Sequence, residues 1–248
     1  MREAILIASY GGRAEPGRVS GLALLQKEIE EQTGLPVLQA YYNKALLREE
    51  PDKALEIQMD RLRRLAPEKL TVLPTFLVNG KTWTAFREQI EAGWEGCGSM
   101  QILEPVLQKE ETRDIFAQRL AKALGLDPRK NYLFVGHGAG DQTDLLYLET
   151  EKKLRALGFD RLSFALLHGV PGIREAAACS CWDAGREVHV IPFLVSAGKH
   201  MMRDLAGEHP DCAAGILSRA GWQVQVSSCG LMENPQVREC FASLSHIK

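Results

Sequence analysis

Two short segments of this chain are near copies: Phe76-Leu-Val-Asn-Gly-Lys81 and Phe193-Leu-Val-Ser-Ala-Gly-Lys199. Each follows an apolar run of strand length and a proline, Pro74 in one case and Pro192 in the other. One hexapeptide can recur by chance. These two hold the same place in two successive series of strand-like and helix-like segments, and internal repetition on that scale restricts the chain to a duplicated architecture.

The first series has strand-like runs at 4–9, 37–42, 70–73 and 101–106, with helical periodicity at 19–32, 52–66, 82–93 and 112–124. In the first helix Leu22, Leu25 and Ile29 supply the apolar stripe, and Gly34 ends it. The pattern then restarts. Strand-like runs at 132–135, 162–167, 187–191 and 222–226 alternate with helical stretches at 143–157, 173–184, up to about 208, 211–220 and 234–243. Strands alternating with helices predict parallel β-α-β units. The chain therefore reads as an α/β protein of two related halves, 1–125 and 126–248, divided near Gly125-Leu-Asp-Pro128. Two such halves facing each other make a cleft lined by the strand-end loops of both.

Composition narrows the classes of function. A net charge of −2 over 248 residues gives no basic surface for nucleic acid. No apolar run approaches the roughly 18 residues a membrane span needs. The N-terminus runs straight into a strand, which predicts no signal peptide and a cytoplasmic location. The six cysteines are then expected as reduced thiols. Cys179-Ser-Cys181 lacks the C-x-x-C spacing of zinc and redox sites and lies in an Ala-rich helical stretch, which favours packing over metal binding.

The histidines point to chemistry. Gly136-His137-Gly138-Ala139-Gly140 is a tight turn at the carboxyl end of the strand 132–135. A histidine between glycines there presents its imidazole to the crevice above the sheet, where open α/β sheets bind ligands. His168 lies 31 residues after His137, and His200 lies 32 after His168. Each interval is close to one β-α unit, so the three imidazoles fall at one edge of a parallel sheet. Neutral imidazole suits first-row divalent metals such as Co²⁺, Fe²⁺, Ni²⁺ and Zn²⁺, and it accepts a proton near neutral pH. His189 sits inside a strand, His209 at a helix end and His246 in the tail, and none is given a role. Tyr10, in Ser9-Tyr10-Gly11-Gly12, occupies the position in the first half that His137 occupies in the second. Neither glycine turn gives G-x-G-x-x-G with an acidic residue about 20 positions on, so no nucleotide is expected.

With Ser9-Tyr10-Gly11-Gly12, Gly136-His137-Gly138, His168-Gly169-Val170-Pro171, Pro192-Phe193-Leu194-Val195 through His200, and Asp204-Leu205-Ala206-Gly207, the chain resembles the class II tetrapyrrole chelatases over nearly its whole length. It is most similar to the anaerobic sirohydrochlorin cobaltochelatases of the CbiK type. The resemblance implies the chelatase fold: two similar flavodoxin-like or Rossmann-like halves, parallel sheets flanked by helices, and an active-site cleft between them. It implies insertion of Co²⁺ into sirohydrochlorin or precorrin-2 without ATP, in cobalamin biosynthesis. The alternative is a non-catalytic tetrapyrrole- or metal-binding relative, or a chelatase for nickel or iron. His137 and His200 match the family's metal histidines, whereas His168 stands where the family pattern has a glutamate. The expected metal and catalytic set is His137, His168 and His200, with the divalent metal as substrate. Tyr10, Gly11, Gly138, Lys81 and Lys199 are expected to contact the tetrapyrrole, with Arg13 a further cation for its carboxylates. Trp83, Phe86, Phe193 and the Met201-Met202 pair are apolar candidates for the cleft wall or the core. A homo-oligomer is compatible with this reading.

Overall fold

A computed structural model of the chain describes residues 2–12, 19–178, 181–182, 187–196, 198–207 and 209–244, with the side chains of 199–201 outside that description. The chain forms two compact units, 1–109 together with 238–248, and 110–237.

The first unit holds β1 (Glu3–Ser9), α1 (Gly21–Thr33), β2 (Val37–Tyr41), α2 (Leu55–Leu65), β3 (Lys69–Pro74), α3 (Lys81–Trp94) and β4 (Ser99–Ile102). Its strands are parallel, in the order β2-β1-β3-β4. Six of the seven residues of β1 are buried, as both faces of a parallel sheet are covered by helices. Successive side chains alternate between the faces. Ala4, Leu6 and Ala8 join Met59 and Leu62 of α2 and Trp83, Phe86 and Ile90 of α3 in one core. The Ser20 hydroxyl caps α1 by accepting from the Ala23 N–H (3.1 Å), and the helix buries the expected Leu22, Leu25 and Ile29.

The second unit holds α4 (Glu110–Ala123), β5 (Asn131–Gly136), α5 (Leu145–Ala156), β6 (Leu162–Leu166), α6 (Ile173–Ala177), β7 (Glu187–Pro192), α7 (Lys199–Ala206), α8 (Ala213–Arg219) and β8 (Gln223–Val226). Its strands are again parallel, in the order β6-β5-β7-β8. The two sheets therefore repeat one topology. The near-copied segments fall at equivalent places: Lys81 opens α3 after Gly80, and Lys199 opens α7 after Gly198, both caps being extended. A last helix, α9 (Pro235–Leu244), crosses back from the second unit to the first.

Several boundaries differ from the sequence reading. The fourth strand is 99–102 rather than 101–106. Leu103 makes the last bond of the ladder, to the Val72 carbonyl (3.0 Å), and Pro105 has no N–H to continue it. Helix 173–184 is reduced to the five residues of α6, and Cys179, read as part of it, lies outside the described residues. A division near 125 would assign α4 to the first half. By contact α4 belongs with the second, where Glu110 and Asp114 bind Lys153 Nζ at 2.8 and 2.9 Å. From Arg238 onward the chain belongs with the first unit, where the buried Arg238 guanidinium binds Glu28 at 2.7 Å. Among the described residues no helix is long and apolar enough to cross a membrane.

Trp83, Phe86 and Phe193 are all core. Phe193 packs on Phe164 (ring centroids 4.8 Å), Phe134 (5.8 Å), Tyr147 (5.9 Å) and Phe116 (6.2 Å). Its truncation removes the centre of this cluster. Phe193→Ala is expected to destabilise the protein by about 3–5 kcal/mol, read from chemical denaturation.

Candidate metal centre

The second sheet brings two of the proposed histidines together. β5 and β6 pair in parallel, with Gly136 opposite Leu166. The ladder runs one step beyond both strands. The Leu167 N–H donates to the Gly136 carbonyl (3.0 Å) and the His168 N–H to the His137 carbonyl (2.8 Å). The two imidazoles meet edge to face, with ring centroids 4.8 Å apart and an interplanar angle of 74°. Both residues are exposed. Gly138 allows this closeness: its φ is +75°, and a Cβ there would lie 3.0 Å from the His168 carbonyl carbon and from Leu166 Cβ.

The third proposed ligand follows the neighbouring strand. In the order β6-β5-β7-β8 the connection out of β5 runs to β6 on one side and that out of β7 to β8 on the other, so the carboxyl ends of β5 and β7 flank the switch point where such sheets bind ligands. The Phe193 N–H donates to the Val135 carbonyl (2.8 Å), tying the segment after β7 to β5. Lys199 and His200 are the first two residues of α7, the helix that this segment enters, but their side chains lie outside the described residues. Among the described residues no group of three or more His, Cys, Asp or Glu side chains is placed to hold a metal ion.

One ring of the pair has a shifted protonation equilibrium. The His137 pKa is held below its ordinary value of 6.5, chiefly because part of the ring is shielded from water and also because of the neighbouring His168. The Asp204 carboxylate on α7 acts in the opposite direction. His137 is therefore neutral at pH 7, with a free nitrogen lone pair.

The other expected residues divide between the units. Tyr10 follows β1, is 51% exposed, and tilts against Tyr42 at 6.4 Å, which itself packs on Phe86 at 5.4 Å. The Gly11 N–H donates to the Ser9 hydroxyl (3.0 Å). Lys81 is exposed at the start of α3. These belong to the first unit, and Gly138 to the second. Arg13 and His246 lie outside the described residues. His189 is a half-buried strand residue against Tyr132, and the exposed His209 accepts the Asp211 N–H.

Two carboxylates beside the pair carry no role in the sequence reading. Asp204 lies four residues after His200, a spacing that in a helix signals one shared neighbourhood. Asp144 reads in sequence as part of a helix start, and its contacts with the His137 turn show only in the structure.

The whole chain from residue 3 to residue 248 matches the family described as Cobalt chelatase (CbiK). Its fold is similar to that of SirB from Bacillus subtilis with Fe³⁺, at a TM-score of 0.70 and 16% identity, covering 99% of this chain and 95% of that one. SirB from Bacillus subtilis subspecies spizizenii in complex with cobalt gives a TM-score of 0.69 and 13% identity over 99% and 94% of the two chains. CbiX, described as the terminal enzyme for biosynthesis of siroheme in denitrifying bacteria, gives 0.59 and 18% over 99% and 98%. At these identities the likeness is one of fold.

The electrostatics of the pair can be read directly. In an NMR titration of the metal-free protein His137 should titrate below 6.5, and His168→Ala should move it upward, because one of the two lowering causes is gone. As pH falls through 6.5 toward that lowered value, the unfolded chain takes up the proton first, so the histidine subtracts stability in that window.

Proposed function

The chain belongs to the CbiK cobalt chelatase family, and from that premise we propose that it inserts Co²⁺ into sirohydrochlorin or its precorrin-2 form, without ATP, as a cytoplasmic step toward cobalamin. The observation that carries this reading is the exposed His137–His168 pair, one ring of which is held neutral, at the edge of the sheet where ligands bind.

Metallation of a macrocycle has two barriers. The incoming ion must shed ligands, and two pyrrole N–H protons must leave. Imidazole nitrogens meet the first by holding the ion while leaving positions open for the ring nitrogens. A neutral imidazole meets the second as a proton acceptor at physiological pH. Lowering the His137 pKa favours the lone pair over the proton and so serves metal capture. In this reading His137, His168 and His200 share the ion and the protons. Lys81 and Lys199 bind the carboxylates of the ring, and Tyr10, Gly11 and Gly138 contact its face. A tri-imidazole set carries one negative charge fewer than a set containing the family's glutamate. Iron is therefore the second arm of the proposal, and the fold relatives with Fe³⁺ and with cobalt favour testing both metals.

The test is to incubate the protein with sirohydrochlorin and Co²⁺, Fe²⁺ or Ni²⁺ and follow the absorbance change on metallation. A rate above the spontaneous one is expected with Co²⁺, and His137→Ala or His200→Ala should each lower it by about 100-fold or more. His168→Ala should also lose rate, whereas His168→Glu should retain it with a changed metal preference. If no metal gives a rate above the spontaneous one, the chain is a binder rather than a chelatase.

A further inference from the structure

Asp144 is buried, 7% exposed, at the end of the short 3₁₀ turn Gln142–Asp144 that leads into α5. Its carboxylate does not cap that helix. Both oxygens turn back to the His137 turn. Oδ1 accepts the Ala139 N–H at 2.7 Å and Oδ2 accepts the Gly140 N–H at 3.0 Å. The same Oδ2, with Leu166 Cδ1 beside it, fills the space a side chain would need at Gly169, the residue after His168, where a Cβ would collide with both and most closely with the carboxylate. One carboxylate is thus bonded to the turn that carries His137 and packed against the turn that carries His168. Neighbouring Asp141 does the local work of the helix start, accepting from the Thr143 N–H (2.8 Å) and hydroxyl (2.6 Å).

We propose that Asp144 is a positioning residue for the metal-handling pair, setting the separation of the two histidine turns, and that position 169 is glycine because the carboxylate occupies its side-chain space. The proposal rests on the reading of His137 and His168 as residues that handle the metal. The chemistry favours a carboxylate over its amide. Two backbone N–H groups need two acceptor oxygens, and an asparagine would turn an N–H₂ toward one of them, leaving a buried donor facing a donor. The bonds to Ala139 and Gly140 hold the backbone two and three residues beyond His137, where a glycine-rich turn would otherwise have many conformations. Carboxylates that orient metal-binding histidines through a second layer of contacts typically contribute about 10–100-fold to affinity or activity.

The experiment reads pair geometry separately from turnover. In the metal-free protein the nuclear Overhauser contact between the ring protons of His137 and His168 should be present. It should be lost in Asp144→Asn, a nearly isosteric change chosen so that the variant folds, with circular dichroism unchanged. Metallation of sirohydrochlorin by Co²⁺ should fall by about 10–100-fold in the same variant. Asp141→Ala, which removes the cap of the helix start without touching the bonds of Asp144 to Ala139 and Gly140, should keep the ring contact and the rate. Gly169→Ala should break the ring contact in the parent and cause a smaller further loss in the Asp144→Ala background, where Leu166 Cδ1 is the close neighbour that remains. Retention of the ring contact and rate in Asp144→Asn would overturn the proposal, as would a silent Gly169→Ala. If the parent protein shows the ring contact yet metallates nothing, the chelatase reading fails, while the loss or retention of the contact in Asp144→Asn still decides the role of Asp144.

Discussion

The bond from the His168 N–H to the His137 carbonyl, 2.8 Å long, is the constraint on which the candidate site turns. It is a ladder bond that outlasts its strands. Along β5 and β6 each residue faces the one 30 positions later, from Tyr132 opposite Leu162 to Gly136 opposite Leu166. His168, 31 positions after His137, is one step past the partner this register would assign. In a parallel ladder the N–H of that next residue is the one that reaches the carbonyl. Register brings the two backbones together, but in a continued pleat residues one step out of register would face opposite ways. It is the turns beyond the strand ends, with Gly138 at φ +75°, that let the two rings meet.

Holding two imidazoles together has an electrostatic consequence. Two protonated rings at this distance would repel, and the partial shielding of His137 disfavours charge further. The geometry that gathers nitrogen donors is therefore also the geometry that keeps one of them unprotonated. Asp204 on α7 acts in the opposite direction, and the net shift is still downward.

The fold was legible in the sequence because its signals are local. Apolar runs in β1, β3, β5 and β6 are buried on both faces, and the repeat around Pro74 and Pro192 aligns the two halves from sequence alone. The even spacing of His137 and His168 gave their shared edge for the same reason: one β-α unit has a nearly fixed length. What could not be read were features set by tertiary contact. The assignment of α4 follows from the ion pairs at Lys153 and from Phe116 against Phe193, partners far away in sequence. Asp144 looked like a helix-start aspartate, four residues from Gly140, and nothing in a periodicity distinguishes a carboxylate that caps forward from one that reaches back.

The duplication separates scaffold from chemistry. In the first unit the Tyr42 N–H donates to the Ser9 carbonyl (2.9 Å) and the Asn43 N–H to the Tyr10 carbonyl (3.1 Å), the same two bonds that extend the β5–β6 ladder. The Thr75 N–H donates to the Ala8 carbonyl (2.9 Å) as the Phe193 N–H does to that of Val135. Tyr10 and Asn43 thus stand where His137 and His168 stand in the second unit. A phenol and a carboxamide offer oxygen, a weaker match than imidazole for first-row divalent ions. Tyr10 instead begins a run of aromatic contacts through Tyr42 to Phe86 and on to Phe76 and Trp83. An exposed ring continuous with an aromatic core is suited to meet a flat apolar surface. The repeated backbone supplies the same pair of positions twice, and the side chains placed there differ: two imidazoles in the second unit, a phenol and a carboxamide in the first.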